Sequence, residues 1–171
     1  MDTADSEAAS SIQVSGYHRT QSEIEDKAVL RLISYGGNFR YASGKWQVGI
    51  NAVQYHFDKP LQKKDVPYNL FSFTGKNWLN YSLDYSYTFR NMHFFGEAAL
   101  DKNNKLALLN GVLISADKKV DISVLHRSIS PAYQSLYGNA FTINTSPANE
   151  QGVYAGLTLR PIHKVKLNAY A

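Results

Sequence analysis

The chain contains no cysteine, which excludes a disulfide scaffold, a cysteine-ligated zinc site and a thiol nucleophile. No run of about 20 apolar residues occurs, so no segment is built to cross a bilayer as a helix. A Gly-x-Ser-x-Gly elbow and a glycine-rich phosphate loop ahead of a helix are both missing. The histidines, at 18, 56, 93, 126 and 163, stand apart from one another. They form neither a helical His-x-x-x-His pair nor a ligand triad with nearby carboxylates, so neither metal nor other cofactor is expected. Charge of one sign is scarce too. The 18 Lys and Arg against 14 Asp and Glu leave a net +4, a weak pull toward anionic partners and no nucleic-acid signature. The opening Met-Asp-Thr-Ala-Asp-Ser-Glu-Ala-Ala-Ser has no basic region and no apolar core, so it is not a secretory signal. Residues 1–11 are expected to be a disordered or cut segment, with any export signal removed or upstream.

Aromatic residues are plentiful in a chain of 171 that is polar on average. There are 12 Tyr, 8 Phe and 2 Trp, yet the mean hydropathy is −0.34. Amphipathic rings in such a background fit a soluble β-sandwich, or a membrane β-barrel in which polar and apolar residues alternate along each strand. One short helix is expected over 21–31, where Ser22 and Glu25 stand at capping-box spacing and Ile24, Ala28 and Leu32 follow at helical intervals.

From Ile33 onward the period is two. Over 78–89, Leu79, Tyr81, Leu83, Tyr85, Tyr87 and Phe89 point one way, and Asn80, Ser82, Asp84, Ser86 and Thr88 the other. That run is long for a soluble strand of about 5–6 residues. It suits a tilted membrane-spanning strand of about 9–11 residues with its ends. Further strands are expected over 33–42, 45–57, 92–100, 106–115, 120–127, 153–160 and 165–171. In 45–57 the apolar set changes phase after Ala52, which predicts a bulge or a strand leaving the bilayer. Tight turns at 43–44, 90–91, 116–119 and 161–163 alternate with longer links at 58–77, 101–105 and 128–151. Outer-membrane barrels show this asymmetry, with short turns on one side and longer loops on the other. The expected fold is therefore all-β: about eight meandering antiparallel strands of a transmembrane barrel, or an open part of one, over residues 12–171.

Several motifs carry a family resemblance. Gly16-Tyr17-His18-Arg19-Thr20 and Pro67-Tyr68-Asn69 are two of them. The fullest runs from Leu125-His126-Arg127 through Pro131, Tyr133, Ser135, Tyr137, Asn139-Ala140-Phe141 to Asn149-Glu150, Gly152 and Tyr154. Together they resemble the barrel region of large bacterial outer-membrane proteins whose longer members carry a helix-hairpin-helix segment. The resemblance covers most of residues 16–171. It implies a bacterial outer-membrane barrel with no established reaction, and it supplies no catalytic or ligand residues. The helix-hairpin-helix segment is absent here, so no nucleic-acid role is carried over. The end at Asn168-Ala169-Tyr170-Ala171 lacks the terminal aromatic with which such barrels close. An incomplete slice is expected, with the remaining strands of a longer chain as its partner.

Candidate residues follow from the strand faces. Arg19, Arg40, Arg127 and Arg160 are expected to form an inward ladder with Asp84, Glu97 and Asp121, since charges in a barrel face the lumen or lie near strand ends. Such a ladder either lines a channel for anions or zwitterions or pairs internally and fixes strand register, and internal pairing is preferred. Lys59, Lys63 and Lys64 share the first long loop. They either meet lipopolysaccharide phosphates or are simply solvated. Trp46, Trp78, Tyr55, Phe57, Phe89 and Phe94 fall near strand ends as an interfacial girdle would. In the longest loop, Tyr133, Tyr137, Asn139 and Asn149 are the candidate binding residues, with Asn144 beside them; that loop is expected to fold into the barrel mouth or over it. His126 and Ser128 share a strand face, an arrangement that lets an imidazole take a hydroxyl proton. The pair is similar to the His-x-Ser of outer-membrane lipid A deacylases without that family's flanking residues, and polar strand-end positions are the preferred reading.

The resulting expectation is a porin-like, non-enzymatic outer-membrane barrel segment with a structural, solute-passage or surface-binding role. Outer-membrane lipid or lipopolysaccharide and an unknown solute are its expected partners. The rivals are a lipid hydrolase using His126 and Ser128, and a soluble barrel binding a small apolar ligand, with Tyr81, Leu83, Tyr85 and Tyr87 facing inward.

Overall fold

The period-two alternation becomes eight strands in the computed structural model: β1 (Leu32–Ser43), β2 (Trp46–Leu61), β3 (Gly75–Phe89), β4 (Met92–Asp101), β5 (Leu106–Asp117), β6 (Val120–Ile129), β7 (Glu150–Leu159) and β8 (Leu167–Tyr170). The structure describes residues 8–10, 12, 17, 19–25, 30–138, 140–143, 147–162 and 164–171. The strands form one antiparallel sheet in chain order, β1 through β8, in which the first and last strands are edges and do not pair with each other. The fold is therefore all-β, an open meander with one short helix. β2 and β3 run for 16 and 15 residues, well beyond the common strand length of about 5–6.

Short and long connections alternate as expected. Two residues separate β1 from β2, β3 from β4 and β5 from β6, whereas 62–74 and 130–149 join the strands at the other end. Two links depart from the pattern: β4–β5, 102–105, is short, and β7–β8, 160–166, is longer than the turn expected at 161–163. The first hairpin turns at Gly44, whose φ of +56° is a conformation glycine adopts without a Cβ clash.

Residues Met1–Gly36 and Val53–Leu79 make one compact unit. Its core is aromatic: Phe57 is fully buried, the Phe57 and Phe73 rings meet edge-on at 5.3 Å, and Phe73 lies 4.6 Å from Trp78. Tyr55, Leu61 and Ala9 are also buried. Ala9, within the 1–11 stretch of which 1–7 and 11 lie outside the described residues, is hydrogen-bonded to this unit. Its N–H donates to the Pro60 carbonyl and its carbonyl accepts from Gln62 N–H, which closes a parallel bridge to Leu61.

The phase change after Ala52 falls inside one continuous strand. β2 is a single strand whose buried positions, Gly49, Tyr55, Phe57 and Leu61, are all odd-numbered. The apolar residues switch sides because Tyr55 and Phe57 have a local core to enter, while Trp46, Val48 and Ile50 do not.

The helix, α1 (Gln21–Glu25), starts at the expected residue, but its cap lies two residues before Ser22. Thr20 is the cap: its Oγ1 accepts from Glu23 N–H at 3.3 Å, and Glu23 Oε2 accepts in return from the N–H groups of Arg19 and Thr20. Ser22 lies inside the helix, so Ser22 and Glu25 do not form the box. Residues 26–29 lie outside the described residues.

Residues Gly37–Ala52 and Asn80–Ala171 make the second unit. Its register sorts side chains onto two faces. Tyr81, Leu83, Tyr85 and Tyr87 stand opposite Leu100, Ala98, Gly96 and Phe94, and the same face continues through Val112, Val124 and Ala155. The other face places Asp84 opposite Glu97, Thr88 opposite His93, and Asp121 opposite Thr158. On that face the Phe95 ring covers Gly111, so that a Cβ there would collide with the ring edge at Cζ. Gly111→Ala is expected to cost about 1–3 kcal/mol by overpacking. Denaturant titrations of parent and variant measure the difference, and an unchanged midpoint contradicts the packing.

Candidate functional site

The polar face of the second unit is built outward from Asp84. Its carboxylate lies over Gly49, where any Cβ would collide with it. Asn51 Nδ2 donates to Asp84 Oδ2 at 2.9 Å and to Ser82 Oγ at 3.0 Å, and Asn38 Nδ2 donates to Asn51 Oδ1. Arg40 stands 3.9 Å from Asp84 and balances its charge. Glu97 occupies the position directly across from Asp84. It has no ion-pair partner among the described residues.

Toward the long-loop end of this face, Asn80 and Asp101 are cross-strand neighbours, and both are buried. Together they hold Gln134. Asp101 Oδ2 accepts from its N–H at 3.1 Å, and Asn80 Nδ2 donates to its carbonyl at 2.8 Å. The two side chains thus serve one loop residue as a strand neighbour would. Asp101 Oδ1 meanwhile accepts from the N–H groups of Asn103 and Lys105, closing the β4–β5 turn. A carboxylate that is fully buried is satisfied here by three peptide donors.

Tyr133 sits beside Gln134 and is itself buried. Burial, followed by the charges of Glu97 and Asp101, pushes its phenol above the ordinary tyrosine range, while its contacts with Asn80 and Ser135 act the other way. Asn80 Oδ1 is buried and finds no well-formed hydrogen bond among the described residues.

A second attachment holds the far end of the same loop. Glu150 accepts from Ile143 N–H at 3.1 Å with both oxygens. Arg127 Nε lies 3.2 Å from Glu150 Oε2. The Nε proton is not aimed at that oxygen, so the contact is one of charge. Arg127 Nη1 donates to the Phe141 carbonyl at 2.9 Å, and its guanidinium lies over the Phe141 ring at 5.9 Å. Phe141 in turn meets Tyr154 edge-on at 5.4 Å. The loop therefore folds back onto the polar face and is fastened at both ends.

These placements revise the candidate residues. Arg40 pairs with Asp84 at 3.9 Å and Arg160 with Asp121 at 2.7 Å. Arg127 finds Glu150, a residue that had no assigned role. Arg19 leaves the ladder: its guanidinium stacks 4.2 Å above the Tyr17 ring. Tyr133 is an internal anchor and offers no open contact surface, whereas Tyr137 is exposed. Asn149 turns the chain with φ of 55°, and its N–H closes the loop onto the Ser130 carbonyl. Asn139, Asn144, His18 and His163 lie outside the described residues.

On the apolar face, Trp46 stacks on Tyr87 at 4.1 Å, and Tyr87 neighbours Phe89 and Phe94 at 6.3 and 6.4 Å. These rings lie beside the 44–45 and 90–91 turns and form a band at the short-turn end. Trp78, Tyr55 and Phe57 do not extend it, because they are buried in the first unit. His126 and Ser128 share the apolar face, opposite Asn110 and Leu108 on one side and Val153 and Gln151 on the other. No hydrogen bond joins His126 to Ser128 among the described residues, and no carboxylate orients the imidazole. Lys63 and Lys64 are solvent-exposed in 62–74.

Asp101, Asn80 and Glu150 were not picked out from the sequence. Only Asp101 carried a local signal: Asp-x-Asn before Asn104 is an Asx-turn spacing, and Asn104 takes a φ of 57°. No protein-family model matches the chain, and no curated protein gives a significant match.

Proposed function

We propose that this chain is part of a bacterial outer-membrane β-barrel whose apolar face meets lipid and whose polar face lines an interior narrowed by residues 130–149. The carrying observation is the division between the two faces. The loop fastens to the polar face through Asn80, Asp101 and Arg127. The opposite face stays uncovered, with Leu83 48% and Val153 67% exposed. A soluble sheet buries its apolar face, and an uncovered apolar surface of this kind needs a partner phase. In a soluble ligand-binding barrel, Tyr81, Leu83, Tyr85 and Tyr87 would turn inward and the loop would lie on their side.

The role proposed is structural or the passage and surface binding of a solute, without catalysis. Every arginine of the polar face is neutralised: Arg40 by Asp84, Arg127 by Glu150, Arg160 by Asp121. Glu97 is left over. The interior therefore suits neutral or cationic solutes better than anions, against the anion-selective form of the charge ladder.

The test is physical state. The chain is expected to need detergent, to migrate on a gel in a heat-modifiable way, and to bury its apolar face in micelles. A monomer that stays dissolved without detergent overturns the membrane reading.

A further inference from the structure

The β5–β6 and β7–β8 connections bring together a group of cations that the interior does not use. Lys118 and Lys119 form the β5–β6 turn, and Arg160, Lys164 and Lys166 belong to the segment from the end of β7 to β8. Arg160 N–H donates to the Lys119 carbonyl at 2.7 Å, which sets the two connections side by side. Together they line a cleft of about 630 Å³ that also includes Ile162. Arg160 is committed to Asp121 at 2.7 Å, and Asp121 also attracts Lys166. Lys118, Lys119 and Lys164 have no ion-pair partner among the described residues. The other short turns add Lys45 and Arg90, so this end of the second unit is strongly cationic.

We propose that this cleft binds the phosphate of an anionic phospholipid headgroup. The inference rests on the membrane reading and names a partner for one end of it. Charge complementarity supplies the first argument: five cations against two carboxylates, Asp121 on Arg160 and Asp117 accepting from Lys119 N–H, leave a net positive cleft that attracts a phosphodiester. Position supplies the second. The cleft lies at the same end of the strands as the aromatic band of Trp46, Tyr87, Phe89 and Phe94, and rings of that kind sit where hydrocarbon meets headgroups. Ile162, 65% exposed, gives the cleft an apolar wall suited to the glycerol and first acyl carbons. A free inorganic phosphate has no use for that wall, and a nucleic acid has none for the band.

The experiment uses the full chain and short-chain phosphatidylglycerol offered against equal short-chain phosphatidylcholine, with bound lipid counted by native mass spectrometry. Preferential uptake of phosphatidylglycerol is expected, weakening with salt. Lys118→Gln, Lys119→Gln, Lys164→Gln and Lys166→Gln, combined stepwise, are expected to reduce the preference about five-fold per charge. The four Lys→Arg changes should keep it, as should Lys63→Gln with Lys64→Gln. Equal uptake of the two lipids by the parent overturns the proposal, as does a quadruple Gln variant that keeps the preference. Loss of preference in the Lys63 and Lys64 control, or tighter binding of an oligonucleotide than of phosphatidylglycerol, also overturns it. Short-chain lipids dissolve as single molecules, so the arms run with or without detergent. A chain that is soluble alone yet prefers phosphatidylglycerol sinks only the membrane reading, and a detergent-requiring chain without the preference sinks only this one.

Discussion

Asp101→Ala is expected to loosen the Gln134 end of the long loop from the sheet and to cost about 3–5 kcal/mol of stability. The carboxylate is fully buried and accepts from Asn103, Lys105 and Gln134 N–H groups. Each donor deprived of its acceptor in a buried site is worth about 1–3 kcal/mol, and some of that sum is recovered as the freed turn and loop reach water. Asp101→Asn separates the two functions of the side chain. Its single carbonyl oxygen can still serve the 102–105 turn, while its amide nitrogen would face Gln134 N–H, donor against donor. The Asn variant is therefore expected to lose about 1–3 kcal/mol and to loosen that end of the loop alone. Limited proteolysis reads the loop directly: cleavage within 130–149 should appear in both variants while the strands remain resistant. If the interior conducts solutes, both variants should raise the single-channel conductance. A loop as resistant as the parent's in the Ala variant contradicts the attachment.

The strands themselves were legible because each is a local pattern. The alternation over 78–89 needs no distant partner to be read, and β3 falls within a few residues of it. The same holds for the hairpin at 90–91, but not for the helix cap, where the Ser22–Glu25 spacing points past the true cap at Thr20. Thr20 and Ser22 both offer a hydroxyl three residues before a Glu, and the choice between them depends on where the preceding chain enters. The phase change in β2 shows the limit of reading faces from composition. An apolar residue marks a buried face only where something covers it, and Phe73, which packs on Phe57, and Trp78, which packs on Phe73, come from the next link and strand.

The candidate site was legible in kind but not in its partners. The polar face, with Arg40, Asp84, Glu97 and Asp121 on it, follows from parity along each strand. Which charge meets which follows from register and from the path of the long loop, and neither is written locally. Arg127 and Glu150 lie 23 positions apart in the chain and one strand apart in the sheet, beside the last pair of the β6–β7 ladder. Tyr133 and Asn149 looked like recognition residues because loop aromatics and amides often are. In the folded chain one is an anchor and the other a corner.

Arg127→Met is expected to be the second severe change, at about 3–5 kcal/mol. The side chains of Arg127 and Glu150 are 14% and 7% exposed, so removing the guanidinium leaves a carboxylate in a nearly closed site. Ile143 N–H would still donate to it, and the Phe141 carbonyl would lose the donor it has. The damage lies chiefly in the stranded charge and not in a large net gain from the pair, because a buried ion pair roughly balances its desolvation. Adding Glu150→Gln tests that account. The amide keeps an oxygen for Ile143 N–H and removes the charge, so the double variant should recover to within about 1–2 kcal/mol of the parent, a coupling of about 2–3 kcal/mol. Denaturant titration of the parent, both single variants and the double gives the cycle. Additive losses would mean that Arg127 acts through its contacts with Phe141 alone, and the charge account would fail.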